Sequence, residues 1–182
     1  KCNAAHLRMA QANGAALIDN APITKIRPAN GEIEVTAGEV TYRYHKLIIA
    51  AGAWSNGILA HLGLKLPLTV TQEQISYYAT PHLADFQPDR FPVWIWMDEP
   101  CFYGFPVYGE NGTKAAQDVG GEEVTAETRS FAPNPANLQR VHDFLEKHIP
   151  TALGPIIYTK TCLYTMPPDR DFVIDTLPGY DN

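Results

Sequence analysis

Apolar residues recur along the chain at two spacings: about every 3.6 residues in some segments, which predicts helices, and every second residue or in continuous runs in others, which predicts strands. Residues 1–12 carry apolar side chains at helical spacing, and Gly14 follows as a stop signal. Asn30-Gly31 lies between two apolar runs and is a strong signal for a two-residue hairpin turn. Ser55 can begin a short helix. Strands are predicted at 15–18, 22–27, 33–38 and 40–52, the last with a buried-type strand at 46–51.

From residue 68 onward the predicted strands become rich in aromatic residues. Pro-rich and Gly-rich turns join most of them, as in an antiparallel meander. Asn134 and Pro135 predict a helix start, and an apolar stripe continues to Pro150. We therefore expect an α+β fold, with a largely antiparallel or mixed sheet flanked by helices and a domain boundary near residue 66. The strands are predicted at 74–78, 93–97, 101–103, around 114, at 156–164 and at 172–175.

Composition argues against several classes of partner. Fourteen Lys and Arg residues against twenty Asp and Glu residues give a net charge of −6, and the basic residues form no run. We therefore expect neither nucleic acid nor an anionic membrane surface as a partner. No apolar stretch approaches the roughly 18 residues of a membrane-spanning helix. Cys2 and His6 have a metal-compatible spacing but lack a second ligand pair, so no metal site is predicted.

Three cysteines are too few for a disulfide framework, which favours a reducing compartment and a cytoplasmic location. One of them lies in the run TCLYTMPPDRDFVID, residues 161–175. This run resembles the segment by which monomeric sarcosine oxidase and its relatives hold their flavin through a cysteinyl thioether. The resemblance implies an FAD-dependent amine oxidase of the D-amino-acid oxidase superfamily, with Cys162 as the attachment point. The alternative is that Cys162 is a small buried hydrophobic residue.

A second run, CFYGFPVYGENGTKAAQDVGG at residues 101–121, resembles the substrate-side hairpin of the same family. By this resemblance Tyr103 is the active-site tyrosine beside the substrate, and Lys114 is the lysine that activates oxygen. Asp118 stands where sarcosine oxidase has a histidine, which leaves the substrate open. Without the resemblance, Lys114 would be interpreted as a solvated hairpin residue.

A third run, YHKLIIAAGAWSNGIL at residues 44–59, resembles the family's second contact with the dinucleotide. The resemblance implies that Gly52, Ala53 and Trp54 let the backbone come close to FAD. It also matches Ile23 to a position whose backbone meets the adenine. The alternative for Gly52 is an ordinary turn between a strand and a helix.

The chain contains no G-x-G-x-x-G motif, which the pyrophosphate of FAD needs. We therefore expect an internal fragment: residues 1–66 from an FAD-binding domain lacking its glycine-rich loop, and residues 67–182 from a substrate domain. The resemblance implies that the intact protein oxidises a secondary or N-methyl amino acid with oxygen, giving an imine and hydrogen peroxide. FAD would be covalent there and absent from the fragment, which would be inactive. A fructosyl-amino-acid oxidase and a catalytically silent module derived from such an oxidase stay open.

Overall fold

The structure, a computed structural model, describes residues 2–180, and antiparallel strands make up most of its regular structure. The expected α+β class is confirmed. The α-helices are α1 (Cys2–Ala12), α2 (Ser55–Leu59) and α3 (Pro135–His148), with short 3-10 turns at Gly52–Trp54, Ala60–Leu62 and Pro150–Ala152. The strands are β1 (Ile23–Ala29), β2 (Glu32–Ala37), β3 (Val40–Tyr44), β4 (Thr69–Tyr78), β5 (Trp94–Trp96), β6 (Phe102–Phe105), β7 (Thr113–Gln117), β8 (Glu122–Glu123) and β9 (Ile156–Met166). None of the helices in the described part of the chain is long and apolar enough to cross a lipid bilayer.

Two compact units divide the chain. The first is built from the residues up to 50, residues 57–65 and the segment from 175 onward, and the second from residues 51–56 and 66–174. The first unit contains the sheet β1-β2-β3. Its β1–β2 turn has positive φ at both Asn30 (51°) and Gly31 (77°), as a tight hairpin of this type requires. The predicted hairpin is therefore confirmed.

The second unit contains a larger sheet with the order β5-β6-β7-β4-β8, and β9 pairs along β4. The strand pairs of this sheet in the described residues are antiparallel. One face of this sheet is covered by α3. Asn134 begins that helix, because its side-chain oxygen accepts the backbone N–H groups of Ala136 and Asn137 at 2.9 and 3.1 Å.

The core of the second unit lies between α3 and this sheet face. The Phe144 ring on α3 stacks on Phe102 of β6, with 4.3 Å between ring centroids. Val141 and Leu145 are fully buried beside it, and Tyr78 of β4 belongs to the same cluster. Side chains alternate between the two faces along a strand. The strand neighbours of Phe102 and Tyr78, such as Tyr103 and Tyr77, therefore lie on the face of the sheet opposite α3.

Three of the predicted strands do not form. Residues 15–18, 46–51 and 172–175 lie outside every strand of the structure. Ile48 is 90% exposed and Phe172 is 99% exposed. The apolar pattern of these segments predicts burial, but a strand also requires a neighbouring strand for its backbone hydrogen bonds. None of the three has such a neighbour among residues 2–180.

Candidate functional site

The sheet face opposite α3 brings together the residues that the sequence motifs single out in the second unit. Lys114 of β7 lies opposite Phe105 of β6 and Tyr77 of β4. Cys162 of β9 lies opposite Glu73, which is on the same side of β4 as Tyr77 by the two-residue alternation. Three strands adjacent in the sheet thus place the lysine and the cysteine on one surface.

Lys114 lies over aromatic rings. Its Nζ is 5.5 Å from the centroid of the Tyr103 ring and 4.6 Å from that of Phe105. Burial lowers the pKa of the ammonium group, and the nearby Cys162 opposes that shift. No carboxylate of the described residues forms an ion pair with it. This cation is therefore available to stabilise negative charge that develops beside it.

Tyr103 and Tyr164 are two further aromatic residues beside this lysine. Burial is the main cause that raises the pKa of each phenol, and the two side chains also act on each other's pKa. The Tyr164 hydroxyl donates to Asp118 Oδ1 at 3.2 Å. Both phenols are therefore neutral at physiological pH, and the Tyr164 phenol engages Asp118. Tyr164 was missing from the predicted site, although its position two residues after Cys162 in a strand is a signal for the same face.

Asp118 follows β7 and is held by its backbone and its side chain. Its N–H donates to the Cys101 carbonyl at 2.9 Å. Its second carboxylate oxygen, Oδ2, is 3.7 Å from Arg170 Nη2. Arg170 was also missing from the predicted site, because only the folded chain brings it beside Asp118. The carboxylate therefore faces a phenol and a guanidinium of the chain itself.

Cys162 is half-buried and its Sγ lies 3.9 Å from the Glu73 carbonyl oxygen. Burial and the Glu73 carboxylate raise the pKa of this thiol, while Lys114 and Arg129 act in the opposite direction. The thiol is therefore the dominant form near pH 7. The three cysteines are all free, so the sulfur of Cys162 is not part of a disulfide.

The 3-10 turn at Gly52–Trp54 packs against β9, the strand that carries Cys162. Gly52 has a φ of +52°, a backbone conformation that favours glycine, and a Cβ built there meets nothing within 4 Å. The open backbone and the half-buried thiol are compatible with a flavin cofactor near this turn. Ile23, by contrast, belongs to the first unit, where it packs against Ile26, Ile33 and Val35. The structure does not test its predicted contact with adenine.

One other group of possible ligands occurs among residues 2–180. His142, Asp143 and Glu146 of α3 have ligand atoms within 4.8 Å of one another. All three side chains are exposed, and none lies on the sheet face described above. Exposed acidic groups of this kind are common on helices, so the cluster does not add to the site.

Comparison with known proteins finds relatives over nearly the whole chain. The family model described as FAD dependent oxidoreductase matches residues 1–182. Monomeric sarcosine oxidase from Streptomyces avermitilis is 33% identical over 183 residues, which are 97% of this chain and 47% of that protein. N-methyl-L-tryptophan oxidase from Escherichia coli is 28% identical over 180 residues, which are 97% of this chain and 46% of that protein. The chain spans about half the length of the curated relatives it matches.

Solved structures have the same fold. The open form of NikD, an unusual amino acid oxidase essential for nikkomycin biosynthesis, superimposes with a TM-score of 0.75 at 27% identity. That match covers 90% of this chain and 43% of NikD. L-proline dehydrogenase from P. horikoshii gives a TM-score of 0.79 at 21% identity, over 97% of this chain and 46% of the other, and at that identity the match shows the fold alone.

Proposed function

The chain belongs to the family of FAD-dependent oxidoreductases, and we propose that it is part of an enzyme that oxidises the C–N bond of a secondary or N-methyl amino acid. In this reaction the carbon next to the amine loses a hydride and the nitrogen loses a proton, which leaves an imine. Oxygen takes up the two electrons and two protons to give hydrogen peroxide. The similarity to monomeric sarcosine oxidase and N-methyl-L-tryptophan oxidase supports this choice of substrate class.

The observation that carries the proposal is the convergence of Tyr103, Lys114 and Cys162 on one face of the sheet. The three residues come from β6, β7 and β9, and their spacing in the sequence alone does not require that they meet. Their sequence motifs each resemble segments of the same family. A chance resemblance would have no reason to place them together.

FAD is the proposed cofactor, and when bound it accepts hydride from the substrate carbon and returns electrons to oxygen. We propose that Cys162 attaches it covalently through a thioether in the intact protein. Gly52, Ala53 and Trp54 are proposed to contact it through their backbone, and Ile23 to contact its adenine end. The open space above Gly52 supports the first of these contacts.

Lys114 is proposed to stabilise the negative charge that oxygen acquires during its reduction. A cation in a partly desolvated position interacts with such a charge more strongly than a solvated cation does. Tyr103 is proposed to contact the substrate, and Asp118 to orient it. The hydrogen bond from Tyr164 supports the role of Asp118, because it fixes the position of that carboxylate.

The two regions of the chain are proposed to have different roles. Residues 1–66 would be part of the FAD-binding domain, and residues 67–182 part of the substrate domain. A cytoplasmic location also stays a prediction, to which the three free thiols lend support. The 182-residue chain, which lacks a glycine-rich phosphate loop, is predicted to bind FAD poorly and to be inactive alone.

The test uses the full-length protein. Its absorbance spectrum should show stoichiometric flavin. Sarcosine or N-methyltryptophan should give hydrogen peroxide and an imine, which water hydrolyses to an aldehyde and an amine. Activity only with a fructosyl amino acid would favour the alternative oxidase. Stoichiometric flavin without oxidation of any of these amines, or no flavin at all, would instead favour a catalytically silent module.

A further inference from the structure

A pocket of about 390 Å³ lies beside the Tyr164–Asp118 hydrogen bond in the second unit. Its charged lining residues are Asp118, Arg170 and Asp171, and Tyr164 contributes to its wall. The pocket therefore offers one guanidinium among two carboxylates. Its volume falls within the range of small-molecule sites.

Arg170 is held at this pocket by a turn in an uncommon conformation. Its φ is +64°, in the left-handed region that residues other than glycine rarely adopt. Its N–H donates to the Pro167 carbonyl at 3.0 Å, which closes the turn. Unusual backbone conformations of this kind occur often at ligand sites, where the surrounding structure fixes them.

The guanidinium of Arg170 keeps most of its hydrogen-bonding capacity. Its Nη2 is 3.7 Å from Asp118 Oδ2, which is an ion pair but is longer than a hydrogen bond. No other carboxylate of residues 2–180 lies within ion-pairing distance of it. Asp118, in contrast, also accepts the Tyr164 hydroxyl. Arg170 therefore has more hydrogen-bonding groups free for a ligand than Asp118 has.

We propose that Arg170 binds a carboxylate of the substrate, and that Asp118 is the positioning residue that holds its guanidinium at the pocket. The planar guanidinium donates two parallel hydrogen bonds to a carboxylate, a geometry that an ammonium group cannot match. This inference rests on the proposed function for one point, that the substrate is an amine; the carboxylate is inferred from Arg170. The carboxylate can be the one next to the amine or one carried by the substrate side chain.

Binding to the full-length protein tests the proposal when its flavin has first been reduced with dithionite and oxygen is excluded, because reduced flavin cannot oxidise the ligands. Three N-methylated ligands are titrated by calorimetry: dimethylamine has no carboxylate, N-methylglycine has one beside the amine, and N-methylaspartate has a second on its side chain. Arg170→Gln should raise the Kd of carboxylate ligands by about 10- to 100-fold and leave that of dimethylamine unchanged. If N-methylglycine and N-methylaspartate both lose affinity, Arg170 binds the carboxylate beside the amine. If only N-methylaspartate loses affinity, Arg170 binds the side-chain carboxylate.

Two further variants separate binding from folding. Arg90→Gln removes an arginine of similar exposure that pairs with Asp85 at 3.4 Å outside the pocket, and should change no Kd. Arg170→Lys should give an intermediate loss, because it keeps the charge but not the paired donors. Asp118→Asn should weaken carboxylate binding and leave dimethylamine unchanged.

The proposal is overturned if Arg170→Gln binds all three ligands like the wild type, or if the wild type shows no preference for carboxylates. It is also overturned if Asp118→Asn loses dimethylamine, since Asp118 would then bind the amine directly. Because calorimetry follows binding, a protein without oxidase activity would refute the proposed function and still report on Arg170.

Discussion

Glu73 and Cys162 lie opposite each other across the antiparallel strands β4 and β9, and the cysteine Sγ is 3.9 Å from the Glu73 carbonyl oxygen. The Glu73 side chain is buried, and its Oε1 accepts the Thr71 hydroxyl at 2.7 Å. The same carboxylate accepts the Gly121 N–H at 3.1 to 3.2 Å. A fixed carboxylate thus lies near the thiol that is proposed to carry the cofactor.

The first prediction concerns the acidity of Cys162. Glu73→Gln removes a negative charge that disfavours the thiolate, so the pKa of the Cys162 thiol should fall. At a fixed pH below that pKa, a larger thiolate fraction should then react faster with an alkylating reagent. The pH dependence of alkylation is measured in the 182-residue chain with Cys2→Ser and Cys101→Ser, where Cys162 is the one remaining thiol. An unchanged or higher pKa would show that the carboxylate does not act on this thiol.

The second prediction concerns covalent attachment. Cys162→Ser in the full-length protein should release its flavin into the supernatant after acid precipitation, whereas the wild-type flavin should stay with the polypeptide. The matched control is Cys101→Ser, because Cys101 is also partly buried and also a free thiol. Flavin that leaves the wild-type protein on denaturation would return Cys162 to a packing role.

Local signals in the sequence predicted the elements that depend on neighbouring residues. The Asn30-Gly31 hairpin and the α3 start at Asn134 formed as expected, because the turn and the cap are determined by a few adjacent residues. The strands predicted at 46–51 and 172–175 did not form. Whether an apolar segment becomes a strand depends on a partner strand at any distance along the sequence, and hydrophobic periodicity contains no information about that partner.

Some residues of the candidate site are predictable from local sequence, and others are not. Tyr103, Lys114 and Cys162 were found from runs of residues that resemble a known family. Glu73 and Arg170 could not be found, because their importance depends on contacts across the sheet and across a turn. The β4–β9 register places Glu73 at Cys162, and the Pro167–Arg170 turn brings a guanidinium to Asp118. Neither relationship follows from composition or local spacing.

The third prediction concerns stability. The Phe144 ring stacks on Phe102 and lies 5.6 Å from the Trp94 ring, and Phe144 is 8% exposed. Phe144→Ala should lower the free energy of unfolding by about 3–5 kcal/mol, because it removes buried area and leaves a cavity. Phe172→Ala should change that free energy by less than about 0.5 kcal/mol, since Phe172 is 99% exposed. Urea unfolding of the 182-residue chain measures both, and similar losses would contradict the assignment of the core.

The last prediction separates the two halves of the reaction at Lys114. Lys114→Met in the full-length protein keeps most of the side-chain volume but removes the cation over the Tyr103 and Phe105 rings. The reaction of the reduced enzyme with oxygen should slow by about 100-fold, because negative charge develops on oxygen in that step. The anaerobic reaction with the amine should change far less, since it requires no such charge. Stopped-flow absorbance measures each half-reaction separately.

Lys160→Met is the control, because Lys160 also lies over an aromatic ring, that of Tyr158, but is exposed on β9. Equal slowing of both half-reactions in Lys114→Met would assign this lysine to substrate binding or to packing.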